Sequence, residues 1–378
     1  MISKEVLAKY SILPDYSSIE CKEIDDSTYF GPNYKNFISN SKLKLINPEE
    51  GGSFLSYLKG LQQTTTSSLT RGSAVHQILL QEEEFIISNQ TKPSAKAGQM
   101  IDKIFQYRNM LDSEGKACYS IYQSLIFASE DVDYYKDQLT KARVKTLLRS
   151  GLDYYMYLHR NKNKVFKQTP IVLDKTSRSV ALACIESVRR NMDAMDLLRP
   201  DEFSLDNIVN RNEDALIMDI IVSFPNSLTD PNAEYVSQPL KLKIKIDNWN
   251  VNLTDKVIRL NDLKTSGKKL YMFPGSTVAE TGEFLEGSFQ HYRYYRQMAF
   301  YWWILSHYIS KKFRIENMKE SYRAYLNMIV VSTVPPYNCS VFRVDRKWLL
   351  KGFEEFSLLL KYAAFAEYNR DRILNGEI

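Results

Sequence analysis

Apolar and polar positions change their spacing along this chain. Between Tyr34 and Gly60 apolar side chains recur at helical intervals, interrupted by a turn at Pro48–Gly52. A short helix is expected from Gly72 to Gln81, after a Ser/Thr-rich stretch that offers capping hydroxyls. Residues 94–160 keep the helical period, with Tyr and Leu three and four apart. Beyond Val165 a helix over Lys175–Leu198 leads into Ala215–Phe224, a run rich in Ile and Val, after which Lys241–Trp249 and Lys256–Lys264 alternate with the period of strands. A helix over Phe289–Ile309 follows, then strands Ala324–Thr333 and Cys339–Val344 around Pro335–Pro336, and a closing helix from Arg346. The first 33 residues read as polar and irregular. The order predicts an α/β (α+β) fold. Residues 34–378 are expected to form a single domain, with 34–160 mostly helical and 165–378 holding the sheet.

The strand ends concentrate the chemistry. In Lys241–Asp247 the odd positions Lys241, Lys243, Lys245 and Asp247 share one face, and Leu242, Ile244 and Ile246 share the other. The next strand closes on Asp262-Leu-Lys264, whose acid and amine point the same way. Hydrolysis of an anionic phosphodiester needs such a pairing. Carboxylates alone repel the phosphate, but by holding Mg²⁺ (or Mn²⁺ in its place) they polarise it and acidify a water. The lysine favours the charged transition state. Asp-x-Lys or Glu-x-Lys occurs four times here, and three copies read as solvated surface pairs. Asp262/Lys264 differs by its setting, the end of an apolar strand that directly follows another acid-ended strand.

Weaker candidates surround this pair. Glu213, ahead of the first strand, offers a third carboxylate, with Asp219 a rival. A lone His76 on an apolar helix is more often structural than a ligand. Gln297 and Tyr301 stand i, i+4 on one helix face, able to orient a metal site or contact DNA. Lys245, Lys268, Lys269, Arg293 and Arg296 could meet phosphates, although a solvated charged face explains them equally well. Most rings of Tyr292-Arg-Tyr-Tyr-Arg296 read as core.

Composition narrows this little. With 50 basic and 45 acidic residues the net charge of +5 permits a basic groove beside an acidic site without naming a partner. Cys21, Cys118, Cys184 and Cys339 are scattered, against a zinc module or an iron–sulfur cluster. The start of the chain shows no secretory signal, so reduced thiols in a cytoplasm are expected. Met298–Leu305, the most apolar run, is too short to span a membrane.

Taken in order, these residues resemble the PD-(D/E)xK nuclease superfamily, most closely its phage-type RecE-like (exodeoxyribonuclease VIII-like) exonucleases. The resemblance spans roughly residues 34 to 355 as ordered motifs. Gly72-Ser-Ala-Val-His76, with Phe85 beyond an acidic loop, is similar to the family's first motif, whose histidine helps hold metal. Asn212-Glu213 matches an acid before a strand, Ile246-Asp247-Asn-Trp249 an "Arg-Pro-Asp" strand end, and Asn261-Asp-Leu-Lys-Thr265 the Asp-Leu-Lys-Thr hallmark. Gln297-Met-Ala-Phe-Tyr301 resembles the Gln-x-x-x-Tyr helix of RecB-like nucleases, and Val334-Pro-Pro-Tyr337 also has a counterpart. Here Lys245-Ile246 stands where the family has Arg-Pro. The Asn/Pro-rich insert between Ser223 and Gln238 reads as a surface loop.

The resemblance implies a mixed central sheet flanked by helices and a Mg²⁺ site of His76, Glu213, Asp247 and Asp262 without an iron–sulfur cluster. It also implies 5′-to-3′ resection of double-stranded DNA ends in phage or mobile-element recombination, ring-like homo-oligomers and a single-strand annealing partner. Two other readings stay open: a structure-specific or restriction-type endonuclease, and a non-catalytic DNA-binding or assembly protein.

Overall fold

The computed structural model describes residues 11–60, 67–93, 95–134, 140–146, 149, 151–200, 207–227, 232–278, 281 and 283–377. The chain forms two compact units, one of Met1–Gln63 with Ser187–Ile378 and one of Thr64–Glu186. Residues 34–60, expected with the helical part, thus belong to the unit that holds the sheet.

That unit is a mixed α/β structure around a six-stranded sheet. Its strands are β1 (Ile12–Lys22), β2 (Ile208–Pro225), β3 (Tyr235–Asn252), β4 (Val257–Ser266), β5 (Arg323–Ser332) and β6 (Cys339–Arg343), and they lie side by side in chain order. All neighbours are antiparallel except β4 and β5. A parallel pair needs a long crossover, and helix α1 (Tyr294–Phe313) lies in this connection. Helix α1 packs with α2 (Arg346–Tyr368) through the Trp303–Phe356 stack, with centroids 5.4 Å apart. A Cβ on Gly352 would lie 2.4 Å from the carbonyl oxygen of Tyr295, so only glycine permits this approach. Apolar residues of the strands and both long helices form one continuous core. The short helix Met192–Leu198 packs against β3, β4 and β6.

Four expectations change. Residues 12–22, expected to be irregular, form the edge strand β1, which pairs with β2 and carries a register shift between Asp15 and Glu20. The helix expected over Lys175–Leu198 breaks at Asn191, whose side chain caps the following helix by accepting from Ala194 N at 2.9 Å. The insert between Ser223 and Gln238 largely extends a hairpin, with pairing reaching Pro225↔Tyr235, and residues 228–231 lie outside the described residues. The helix expected over Phe289–Ile309 is likewise two helices, Ser288–His291 and α1, separated at Arg293, which takes φ +52°.

The second unit contains helices Ser67–Leu80, Ala95–Arg108, Ile121–Asp131, Thr140–Thr146 and Leu152–Asn161 beside the parallel pair Phe85–Thr91 and Thr169–Leu173. Its core gathers Met100, Ile101, Ile104, Leu125, Ala128 and Tyr154. The Ser/Thr-rich stretch expected to cap the first of these helices lies mostly outside the described residues. No helix among the described residues is long and apolar enough to cross a membrane.

Candidate active site at a fork between strands

β3 and β4 pair from Asn252↔Val257 to Asn248↔Asn261 and there part company. β3 continues with β2, while β4 continues with β5 through Ser266. Beyond the fork the freed edge of β3 is taken by Ile38, which donates to Lys241 O at 2.7 Å and accepts from Lys243 N at 2.9 Å. Asp247 and Asp262 are the first residues past the last shared pair, and Asp247 Oδ2 accepts from Leu263 N at 2.7 Å.

Glu213 is opposite Asp247 in the β2–β3 register, in a gap where the strands form no bridge. Its φ of +57° lies in the left-handed region that non-glycine residues avoid at a cost of roughly 1–2 kcal/mol. A carboxylate oxygen of Glu213 comes within 4.8 Å of one of Asp247. Burial and then the nearby Asp247 charge push the Glu213 carboxyl up to about 7, although Lys245 opposes the shift. Asp219, the rival acid, sits further along β2 in an exposed pair with Lys241 (3.5 Å), so Glu213 is the β2 acid at the fork.

Asp262 is 1% exposed. Its Oδ1 accepts from Gln297 Nε2 at 2.7 Å, and its Oδ2 lies 2.6 Å from Lys264 Nζ. Burial disfavours the Lys264 ammonium, but Asp262 and Asp247 outweigh it and hold the amine above its ordinary value. Burial keeps the Tyr301 phenol neutral far above its ordinary range, reinforced by Tyr29, Asp262, Asp247 and Glu213. Three carboxylates, one ammonium and one phenol thus converge here. Three strands and α1 supply them.

The other expected residues divide. Lys245 Nζ is 2.8 Å from Glu213 Oε2 and also pairs with Asp26, so it balances the acid cluster. Arg296, expected to meet phosphate, is a correction. It is 1% exposed and bound to Glu50 (2.5 Å) and Glu355 (2.7 Å), because its helix face turns inward. Arg293 is engaged likewise by Glu49 (2.6 Å) and Glu355 (3.0 Å). Lys268 and Lys269 are exposed just past β4. His76 is half-buried on helix Ser67–Leu80 of the second unit.

Sequence reasoning missed Tyr294, whose ring lies under Lys264 Nζ at 5.6 Å. Its signal was present, since Tyr294, Gln297 and Tyr301 are spaced three and four apart on one helix face.

Neither a family model nor a curated protein matches the chain. A solved structure described as a putative exonuclease from Eubacterium rectale is similar with a TM-score of 0.40 and 14% identity, covering 94% of this chain and 88% of that one.

Proposed function

We propose that this chain is a divalent-metal-dependent deoxyribonuclease of PD-(D/E)xK type that resects double-stranded DNA ends in the 5′-to-3′ direction. The observation that carries the reading is the convergence of Glu213, Asp247 and Asp262 with Lys264 at the fork of β3 and β4.

Hard carboxylate oxygens in one half-buried place fit Mg²⁺, with Mn²⁺ able to substitute, and Glu213, Asp247 and Asp262 would hold the ion. When bound, it polarises the phosphoryl group and acidifies a water. The chain's own groups do the rest. Leu263 N–H orients Asp247, and Gln297 orients Asp262. Lys264 keeps its charge and faces the negative charge that develops on the phosphate. Neutral Tyr301 walls the site without adding charge.

Beyond the carboxyl ends of β4 and β5, a cavity of about 680 Å³ is lined by Arg190, Lys269, Tyr271 and Asn338 among others. With exposed Lys268 it offers cations and a ring to a DNA strand. A role in phage or mobile-element recombination, a ring-like homo-oligomer and a single-strand annealing partner follow from the motif resemblance.

The test uses linear duplex labelled at its 5′ or 3′ ends, beside covalently closed circles, with and without Mg²⁺. Early Mg²⁺-dependent loss of the 5′ label, with circles intact, is expected. Rapid loss of circles would establish the endonuclease reading. Binding without cleavage would leave a DNA-binding protein.

A further inference from the structure

Beside the carboxylates runs a second row of side chains. Asn212, Asn248, Asn261 and Asn327 are register partners on β2, β3, β4 and β5, and the first three each adjoin an acid of the site. Asn327 Nδ2 donates to Asn261 Oδ1 at 2.8 Å, and Asn261 Nδ2 to Asn248 Oδ1 at 2.6 Å. Asn248 Nδ2 in turn donates to Asn212 Oδ1 at 2.7 Å and to Asn210 Oδ1 at 2.8 Å. Asn248 and Asn261 are fully buried. The row also meets the end of helix Met192–Leu198, where Asn261 donates to Leu197 O at 3.1 Å and Asn210 to Leu198 O at 2.9 Å.

An apolar row would be the ordinary filling of such a surface, because a buried amide without partners is costly. A chain of amides does what an apolar row does not. Each donor meets its acceptor in one register only, so the linked side chains specify how four strands align. Successive residues point to opposite faces of a strand. The amides therefore sit on the reverse face from Asp247 and Asp262. The Asn248–Asn261 pair is also the last one that β3 and β4 share before they fork.

We infer that this asparagine ladder is a positioning device for the ion-holding carboxylates, fixing the spacing of Asp247 and Asp262 across the fork. The inference rests on the metal reading of those acids. Asn250 supplies an internal control. It too is fully buried and donates to Leu197 O at 2.9 Å, but its side chain bonds to none of the row's amides, accepting instead from Arg259.

The experiment titrates Mn²⁺ into DNA-free protein by calorimetry, below each variant's melting temperature. Asn261→Ala and Asn250→Ala both lower the melting temperature. Only Asn261→Ala weakens Mn²⁺ binding, by about tenfold or more. Unchanged Mn²⁺ affinity in Asn261→Ala overturns the ladder's role, as does equal weakening in both variants, which would mean general loosening. Should Asn261→Ala not fold, Asn327→Ala removes only the outer rung and weakens binding in the same direction; unchanged affinity there overturns the inference. A wild-type protein that binds no Mn²⁺ sinks the metal reading itself, and the ladder's role with it.

Discussion

The carboxylate of Asp247 accepts the main-chain N–H of Leu263 at 2.7 Å, where β3 and β4 have stopped exchanging backbone bonds. The side chain replaces a missing carbonyl and is fixed by doing so. Asp247→Asn keeps an acceptor there and stays within about 1 kcal/mol of wild-type stability, whereas Asp247→Ala leaves a donor unmatched and loses about 1–3 kcal/mol. Both variants lose metal-dependent cleavage. Urea unfolding checks the difference; equal stability would mean the bond to Leu263 contributes nothing.

Asp262 and Lys264 carry the strongest catalytic prediction. Asp262→Asn retains an acceptor for Gln297, and Lys264→Met retains the aliphatic stem, so folding survives in both. Cleavage falls by about 10²-fold or more in each. In the wild type a saturating divalent ion raises the melting temperature, by about 2.7 kcal/mol of stability at a hundred times Kd. Asp262→Asn abolishes that rise. Wild-type rates in either variant would remove the pair from the site.

Arg296 should act on stability and not on DNA. Replacing it by Met leaves Glu50 and Glu355 to share Arg293 beside a buried gap and costs about 3 kcal/mol, the low end for a broken buried pair. The salt dependence of DNA binding, measured below the melting temperature, stays unchanged because no phosphate contact is lost. A shallower salt slope would restore Arg296 to the DNA surface.

His307 gives a pH signature. Its ring stacks on Tyr16 at 3.8 Å, and burial drives its pKa down from 6.5 to about 4. The unfolded chain therefore binds a proton between these values that the folded chain refuses. The contribution is whole above pH 6.5 and is lost as pH falls towards 4, by up to about 3 kcal/mol. His307→Phe flattens stability across that window in denaturant titrations; an unchanged slope would place the ring in water.

Local pattern was enough for β3 and β4 and for the faces of Asp247, Asp262 and Lys264, because alternation within one strand sets the face of each residue. Yet it began β2 at Ala215 and left Glu213 outside a strand that starts at Ile208. It failed where burial is decided by distant chain. Lys243, read as part of a basic face, donates to Tyr29 O at 2.7 Å under cover of the N-terminal residues. β1 alternates weakly across its register shift and gains its strand from β2. In the sequence Asn212, Asn248 and Asn261 are only the neighbours of the three acids, and the strand register shows that they join.

The arginine cluster has a consequence for the leading residues. Glu49 and Glu50 are two of the three carboxylates paired with Arg293 and Arg296, and Ile38 seals the free rim of β3. A fragment cut after Gly60 would keep both guanidiniums with Glu355 alone to neutralise them, and would bare a strand edge ready to recruit other chains. Residues 11–60 are therefore a splint for the sheet that carries the acid cluster, and shortened versions should precipitate.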